Sequence, residues 1–192
     1  MFKEVERMNV LGIVSSARQH SNSATLVNEV LNGAADKGSQ TEVLNINTLN
    51  LHGCQDCYKC KTENHCMTDD DMQKVYELID RADAIVMGSP IHMGQMNAQM
   101  KMFVDRLFAY MTPQGQFPAL AGKKLVMIYT QGQPDPDKFK TYIDLTTETM
   151  KMMQFNVSDV IVAGGVSPGV SVTDQKELIS RAFATGQSLI FC

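Results

Sequence analysis

Apolar positions recur along the chain with two alternating periods. Short runs rich in Val, Ile and Leu, at 9–16 (NVLGIVSS), 41–47 (TEVLNIN), 84–90 (AIVMGSP), 123–130 (KKLVMIYT) and 158–165 (SDVIVAGG), predict strands. Between them, amphipathic stretches at 23–38, 68–82, 97–111, 138–153 and 174–188 predict helices. Ser21 or Asn22 is expected to cap the first helix and Gly38 to stop it; Thr68 is expected to cap the second, with Asp69, Asp70 and Asp71 in its first turn, where the macrodipole favours them. Five strand–helix alternations imply right-handed crossovers and an α/β architecture: a parallel sheet with helices on both faces. The sequence has no internal repeat and no low-complexity segment. The longest connections fall at 48–67, 112–122 and 164–173, and function is to be sought there.

With 192 residues, 44% apolar and 20% charged, the chain is expected to form one domain over 1–192, with a cysteine-rich loop at 48–67. A net charge of −4 and no basic run argue against nucleic acid and anionic membrane surfaces as partners. The first residues lack the pattern of a secretory signal, and no apolar stretch approaches the ~20 residues that cross a bilayer. The expected location is the cytoplasm.

In an open parallel sheet a ligand sits at the carboxyl ends of the strands, where strand order reverses. The two loops there are 16–23 and 89–97. The first offers the hydroxyls of Ser16, Ser21 and Ser23, the amide of Asn22 and the guanidinium of Arg18, with no acidic residue, at the start of a helix. Such a set suits a phosphate monoester, although the same residues also serve as simple helix caps. It has neither the G-x-G-x-x-G of dinucleotide folds nor the G-K-[ST] of a P-loop. The second loop carries Pro90, Ile91, His92, Met93 and Gly94, an irregular backbone able to read the polar edge of a flat ring or to serve as an ordinary turn.

With these residues assembled, the chain resembles the NAD(P)H-dependent FMN reductase family of flavodoxin-like proteins, and within it the iron–sulfur flavoproteins. The resemblance is carried by Ser16, Arg18, Ser21, Asn22 and Ser23 in the phosphate loop, by Gly88, Ser89, Pro90, His92 and Gly94 in the ring loop, by Asp105 and Arg106 ending the following helix, and by YTQGQP at 129–134. Ser15 and Ala17 stand where the family usually has Gly and Pro, and His92 where it has Tyr. The resemblance implies a doubly wound, five-stranded parallel sheet of order 2-1-3-4-5. It further implies FMN held by the loops named and by Thr130, Gln131 and Gly132, chemistry carried by the flavin rather than a catalytic side chain, NAD(P)H as donor, a redox protein or small molecule as acceptor, and a homodimer or homotetramer.

Four of the five cysteines, Cys54, Cys57, Cys60 and Cys66, fall in GCQDCYKCKTENHC at 53–66. In a reducing compartment, clustered cysteines serve as metal ligands or redox groups more often than as disulfides. The C-x2-C-x2-C-x5-C spacing lets one short loop reach four corners of a 4Fe-4S cluster, whereas structural zinc usually draws on two separated C-x2-C pairs, and a dithiol site wants its C-x-x-C at a helix start. The spacing also resembles the compact cluster motif of the iron–sulfur flavoproteins. Zinc, a dithiol and unliganded thiols remain as alternatives. The loop is expected to leave the same sheet edge as the phosphate and ring loops. The corresponding functions are an FMN oxidoreductase with a cluster, an NAD(P)H-dependent FMN or quinone reductase without one, and a non-catalytic phosphate-binding module.

Overall fold

The structure, a computed structural model, describes residues 7–190, so Cys192 lies outside the described residues. Strands β1 (Asn9–Val14), β2 (Gln40–Asn45), β3 (Ala84–His92), β5 (Lys124–Thr130) and β6 (Asn156–Ala163) are parallel, in the order β2-β1-β3-β5-β6. A two-residue strand, β4 (Gln95–Met96), pairs antiparallel with the end of β3. Leaving that hairpin aside, the five long strands follow the expected order 2-1-3-4-5. Helices α1 (Asn22–Asp36), α2 (Met72–Arg81), α3 (Ala98–Arg106), α4 (Lys140–Met152) and α5 (Lys176–Ser188) connect them.

The period-2 alternation of side chains divides the core in two. Leu11, Ile13, Ile85, Met87, Leu125 and Met127 face α2, α3 and α4, where Val75, Ile79, Phe103 and Ile143 meet them. Val10, Val14, Val86, Val126 and Ile128 face α1 and α5, packing on Leu26, Val27, Val30 and Ala182. On that second face α1 and α5 cross at Gly33 and Gly186. A Cβ on Gly33 would lie 1.9 Å from the Phe183 carbonyl oxygen, and one on Gly186 would lie 1.9 Å from that of Val30. Only glycine permits this approach.

Three boundaries depart from expectation for identifiable reasons. Helix α2 begins at Met72 rather than at 68. The Thr68 carbonyl accepts from the Gln73 side chain (2.8 Å), and the carboxylates of Asp70 and Asp71 turn back to the N–H groups of His52 and Asn50 (both 2.9 Å), so this stretch ties down the preceding loop instead of starting a helix. Helix α3 gives way at Leu107 to a 3-10 turn through Tyr110. Its carbonyls are satisfied from outside: Tyr76 Oη donates to Arg106 O (2.8 Å), and Lys61 Nζ donates to the carbonyls of Phe108 and Met111. Helix α4 is preceded by a 3-10 turn at Pro136–Phe139, capped by Asp135. Among the described residues no helix is long and apolar enough to cross a membrane.

Candidate cofactor site

The carboxyl ends of β1, β3 and β5 and the loop after β6 enclose a cleft of about 300 Å³. It is lined by Ser16, Ala17, Arg18, Ser21, Asn22 and Ser23 from the first loop, Pro90, Ile91 and His92 from the second, and Thr130, Gln131 and Gly132 from the third. The volume is in the range of small-molecule sites. Met93 and Gly94 are not among the lining residues. Both have positive φ (51° and 84°) at the tip of the β3–β4 hairpin, the conformation of a two-residue type I′ turn, and Met93 is fully exposed.

The phosphate loop is built around the start of α1. Ser21 Oγ accepts from Ala24 N (3.1 Å) and lies 3.3 Å from Ser23 Oγ, while Ser16 Oγ accepts from Arg18 N (3.3 Å). Ser16, Ser21 and Ser23 are buried, and no hydrogen bond among the described residues uses the N–H of Asn22 or Ser23. The 15-residue α1 therefore directs its positive dipole end and its unpaired N–H groups at this loop. Arg18 is exposed at the rim and makes no ion pair among the described residues, so its charge is available to an anion. The Asn22 side chain is committed elsewhere: its Nδ2 donates to Val170 O (3.1 Å) and its Oδ1 accepts from Val172 N (2.9 Å), pinning the loop after β6 against α1.

Asn97, outside the expected set, and Gly88, within the ring-loop motif, hold the loops in register. Asn97, the N-cap of α3, accepts from Ser15 Oγ (2.7 Å), Ser89 Oγ (3.1 Å) and Met100 N (3.2 Å) at its Oδ1, and donates to Ser15 O (2.8 Å) through Nδ2. All three side chains are buried. Gly88 leaves α1 room to approach β3, since a Cβ there would lie 2.5 Å from Val27 Cγ2. On the opposite wall, Gln131 Nε2 donates to Asp135 O (2.7 Å), while its buried Oε1 has no donor among the described residues. Val166, Ser167 and Pro168, in the loop expected at 164–173, complete the lining.

A second concavity is lined by Cys54, Cys57, Cys60 and Cys66 together with Arg106, Phe108 and Ala109. All four cysteines are free thiols; Cys54 and Cys57 are exposed, Cys60 and Cys66 half-buried. Left-handed backbone at Asp56, Tyr58 and Asn64 winds the loop around the concavity. Lys61 anchors it, with Nζ 3.9 Å from the Phe108 ring centroid, and Tyr58 packs edge-on against the same ring. No three His, Cys, Asp or Glu side chains among the described residues converge as ligands of one metal ion. The thiols ring the concavity instead of meeting at a point.

Arg106 and Asp70 form a buried ion pair beside these thiols, with side chains 2% and 0% exposed. Arg106 Nη1 donates to Asp70 Oδ2 (2.6 Å) and His52 O (2.8 Å), and Nη2 to Asp70 Oδ1 (3.1 Å) and Cys66 Sγ (3.3 Å). Burial raises the affinity of the Asp70 carboxylate for a proton, but the Arg106 hydrogen bonds and charge and the N–H groups of His52 and Met72 outweigh it and hold its pKa below the ordinary value. Burial likewise pushes the Cys66 thiol up, and hydrogen bonds from Thr68 with the Arg106 charge bring it below the ordinary value.

The cysteine loop leaves the sheet at the carboxyl edge, as expected, but does not stay there. It runs down along α3, so that Asn97 at one end of the helix serves the cleft and Arg106 at the other serves the thiols. With nine residues at 1.5 Å rise, the two ends lie roughly 13 Å apart.

The profile of the family "NADPH-dependent FMN reductase" matches residues 8–157. An iron–sulfur flavoprotein of Methanocaldococcus jannaschii is 38% identical over 99 residues, 52% of this chain and 51% of its own, so the chain spans about half the length of that relative. One from Archaeoglobus fulgidus is 27% identical over 164 residues, 84% of this chain and 71% of its own. Among solved structures, an NAD(P)H:quinone oxidoreductase from Methanothermobacter marburgensis superposes with a TM-score of 0.73 at 20% identity over 95% of this chain and 97% of that one. An archaeal flavodoxin does so with 0.58 at 14% identity over 95% and 96%. The two structures speak to the fold, and the profile, over more than two thirds of the sequence, to the family: the chain belongs to the NADPH-dependent FMN reductase family.

Proposed function

We propose that the protein is an FMN-binding oxidoreductase of the iron–sulfur flavoprotein kind, with FMN in the cleft and a 4Fe-4S cluster held by Cys54, Cys57, Cys60 and Cys66. The observation that carries the cluster reading is that all four free thiols line one concavity. When bound, FMN supplies hydride and single-electron chemistry and a cluster supplies one-electron chemistry.

The chain's own residues bind and orient. Ser16, Ser21, Ser23 and the α1 N–H groups donate to a terminal phosphate, and Arg18 adds the opposing charge from the rim. Pro90, Ile91 and His92 on one side, with Thr130, Gln131 and Gly132 on the other, confine a flat ring; the undonated Gln131 Oε1 accepts an N–H from its edge. The expected donor is NAD(P)H, and the acceptor a redox protein or a small molecule. A homodimer or homotetramer fits this reading. The cleft and the thiols lie toward opposite ends of α3, and a cluster there would exchange electrons with the FMN of the same chain or of a neighbouring one.

The test is iron and sulfide analysis of anaerobically reconstituted protein together with its absorption spectrum. About four irons and four sulfides per chain are expected, and Cys57→Ser should abolish cluster absorbance while FMN stays bound. A cluster-free NAD(P)H-dependent FMN or quinone reductase is the second reading, favoured by the spread of the thiols. FMN bound stoichiometrically with no iron would establish it.

A further inference from the structure

Arg106 occupies an unusual position for a cation. Its side chain is 2% exposed, it is tied by two nitrogens to a fully enclosed carboxylate, and one of those nitrogens also donates to Cys66 Sγ at 3.3 Å. Its Nε–H is buried with no acceptor among the described residues, on a side chain that itself lines the cysteine concavity. A structural ion pair needs neither of these last two features. Asp70 balances the guanidinium charge and the His52 carbonyl takes a further Nη1 donor, so the ion pair does not require the contact to sulfur.

We propose that Arg106 is a positioning residue for the cluster: its guanidinium donates an N–H hydrogen bond to the Cys66 thiolate and so raises the cluster's reduction potential. The inference rests on the cluster reading above. Reduction adds one electron and no proton, and the extra negative charge spreads over the sulfurs. A donor already aimed at one of those sulfurs stabilises the reduced state more than the oxidised state. Asp70 cancels the long-range charge of Arg106, so the effect is local, confined to the half-buried Cys66 corner and absent at exposed Cys54 and Cys57. Asp70 also fixes the fork: with both carboxylate oxygens occupied by Nη1 and Nη2, the guanidinium plane cannot rotate away from the sulfur.

The experiment compares reconstituted wild type with two variants, using dithionite as reductant and EPR to follow the cluster. Arg106→Gln combined with Asp70→Asn removes both charges together and leaves no uncompensated buried ion. It should retain iron and shift the one-electron equilibrium at least tenfold toward the oxidised state, about 59 mV lower in potential. Arg106→Lys, a point donor without the fork, should fall between the two. A measurement on wild type needs no variant to fold: with ¹⁵N-arginine incorporated, the reduced cluster should show a ¹⁵N coupling in pulsed EPR.

A cluster-loaded wild type without that coupling, or a double variant at the wild-type potential, overturns the role of Arg106 while leaving the cluster reading intact. Variants that lose iron altogether assign Arg106 to cluster assembly and likewise overturn potential tuning. A wild type that takes up no iron overturns the cluster reading, and this inference with it.

Discussion

Ser15 Oγ donates to Asn97 Oδ1 at 2.7 Å across 82 positions of sequence, and Asn97 Nδ2 returns a hydrogen bond to the Ser15 carbonyl at 2.8 Å. The pair joins the phosphate loop to the ring loop through one buried side chain that lines neither wall of the cleft. Asn97→Ala should therefore weaken FMN binding without removing any group assigned to FMN. The Ser15 carbonyl loses its donor and the Met100 N–H its cap, while the hydroxyls of Ser15 and Ser89 keep the carbonyls of Gly88 and Pro90 as acceptors; each orphaned buried group costs about 1–3 kcal/mol. Flavin fluorescence titration should show at least a roughly tenfold weaker Kd, and thermal unfolding a lower Tm. An unchanged Kd with a lowered Tm would confine the pair to stability.

Arg18 predicts the opposite separation. It is exposed and without an ion pair among the described residues, so Arg18→Ala should leave the unfolding free energy from urea titration within about 0.5 kcal/mol of wild type. If it faces the FMN phosphate, the same variant loses a charge-assisted contact of about 1.5–3 kcal/mol, roughly a tenfold or larger loss of affinity. That loss should shrink in high salt, because an exposed charge is screened. Isothermal titration at two salt concentrations reads both effects, and a salt-independent Kd equal to wild type would remove Arg18 from the site.

These two residues mark how far the sequence carries. The five strands and five helices are legible because buried β-branched runs and amphipathic periods are local signals, and Arg18 is legible because cations and hydroxyls at a helix start need no distant partner. Asn97 reads only as the start of the third helix; its partner Ser15 is 82 positions away, and no local pattern announces the pairing. Arg106 is visible as the end of a helix, but its burial against Asp70 depends on the cysteine loop folding down along α3. The β3–β4 hairpin escaped because a two-residue strand has no period to detect. Its one signal was Gly94, a residue suited to the positive φ it adopts.

The helix crossing at Gly33 and Gly186 makes a prediction independent of any cofactor. A methyl group at either position meets a carbonyl oxygen at 1.9 Å, belonging to Phe183 or Val30, and backbone cannot swing aside as a side chain can. Alanine would normally stabilise a helix interior by about 0.5–1 kcal/mol over glycine. Here the sign should reverse, with Gly33→Ala and Gly186→Ala each destabilising by about 1–3 kcal/mol as α1 and α5 are forced apart. Urea unfolding measures this. Wild-type or higher stability would mean that the two helices pack less closely than described.

The Asp70–Arg106 pair sets an acid limit on the fold. The Asp70 pKa is lowered in the folded protein: burial opposes ionisation, and hydrogen bonds from Arg106 and from the N–H groups of His52 and Met72, with the Arg106 charge, overcome it. A depressed folded pKa means that the unfolded chain binds the proton more readily, so this contribution is fully present above the unfolded value of about 3.9 and is lost as pH falls through the folded value below it. Asp70→Asn removes the charge at every pH and leaves Arg106 buried without a counter-ion, which should cost about 3–5 kcal/mol near neutrality. The stability difference between wild type and variant should then narrow progressively below about pH 4. Urea midpoints collected across that range test it. Curves that remain parallel into the acid range would show that Asp70 keeps its proton affinity unchanged on folding and that the pair does not set the limit.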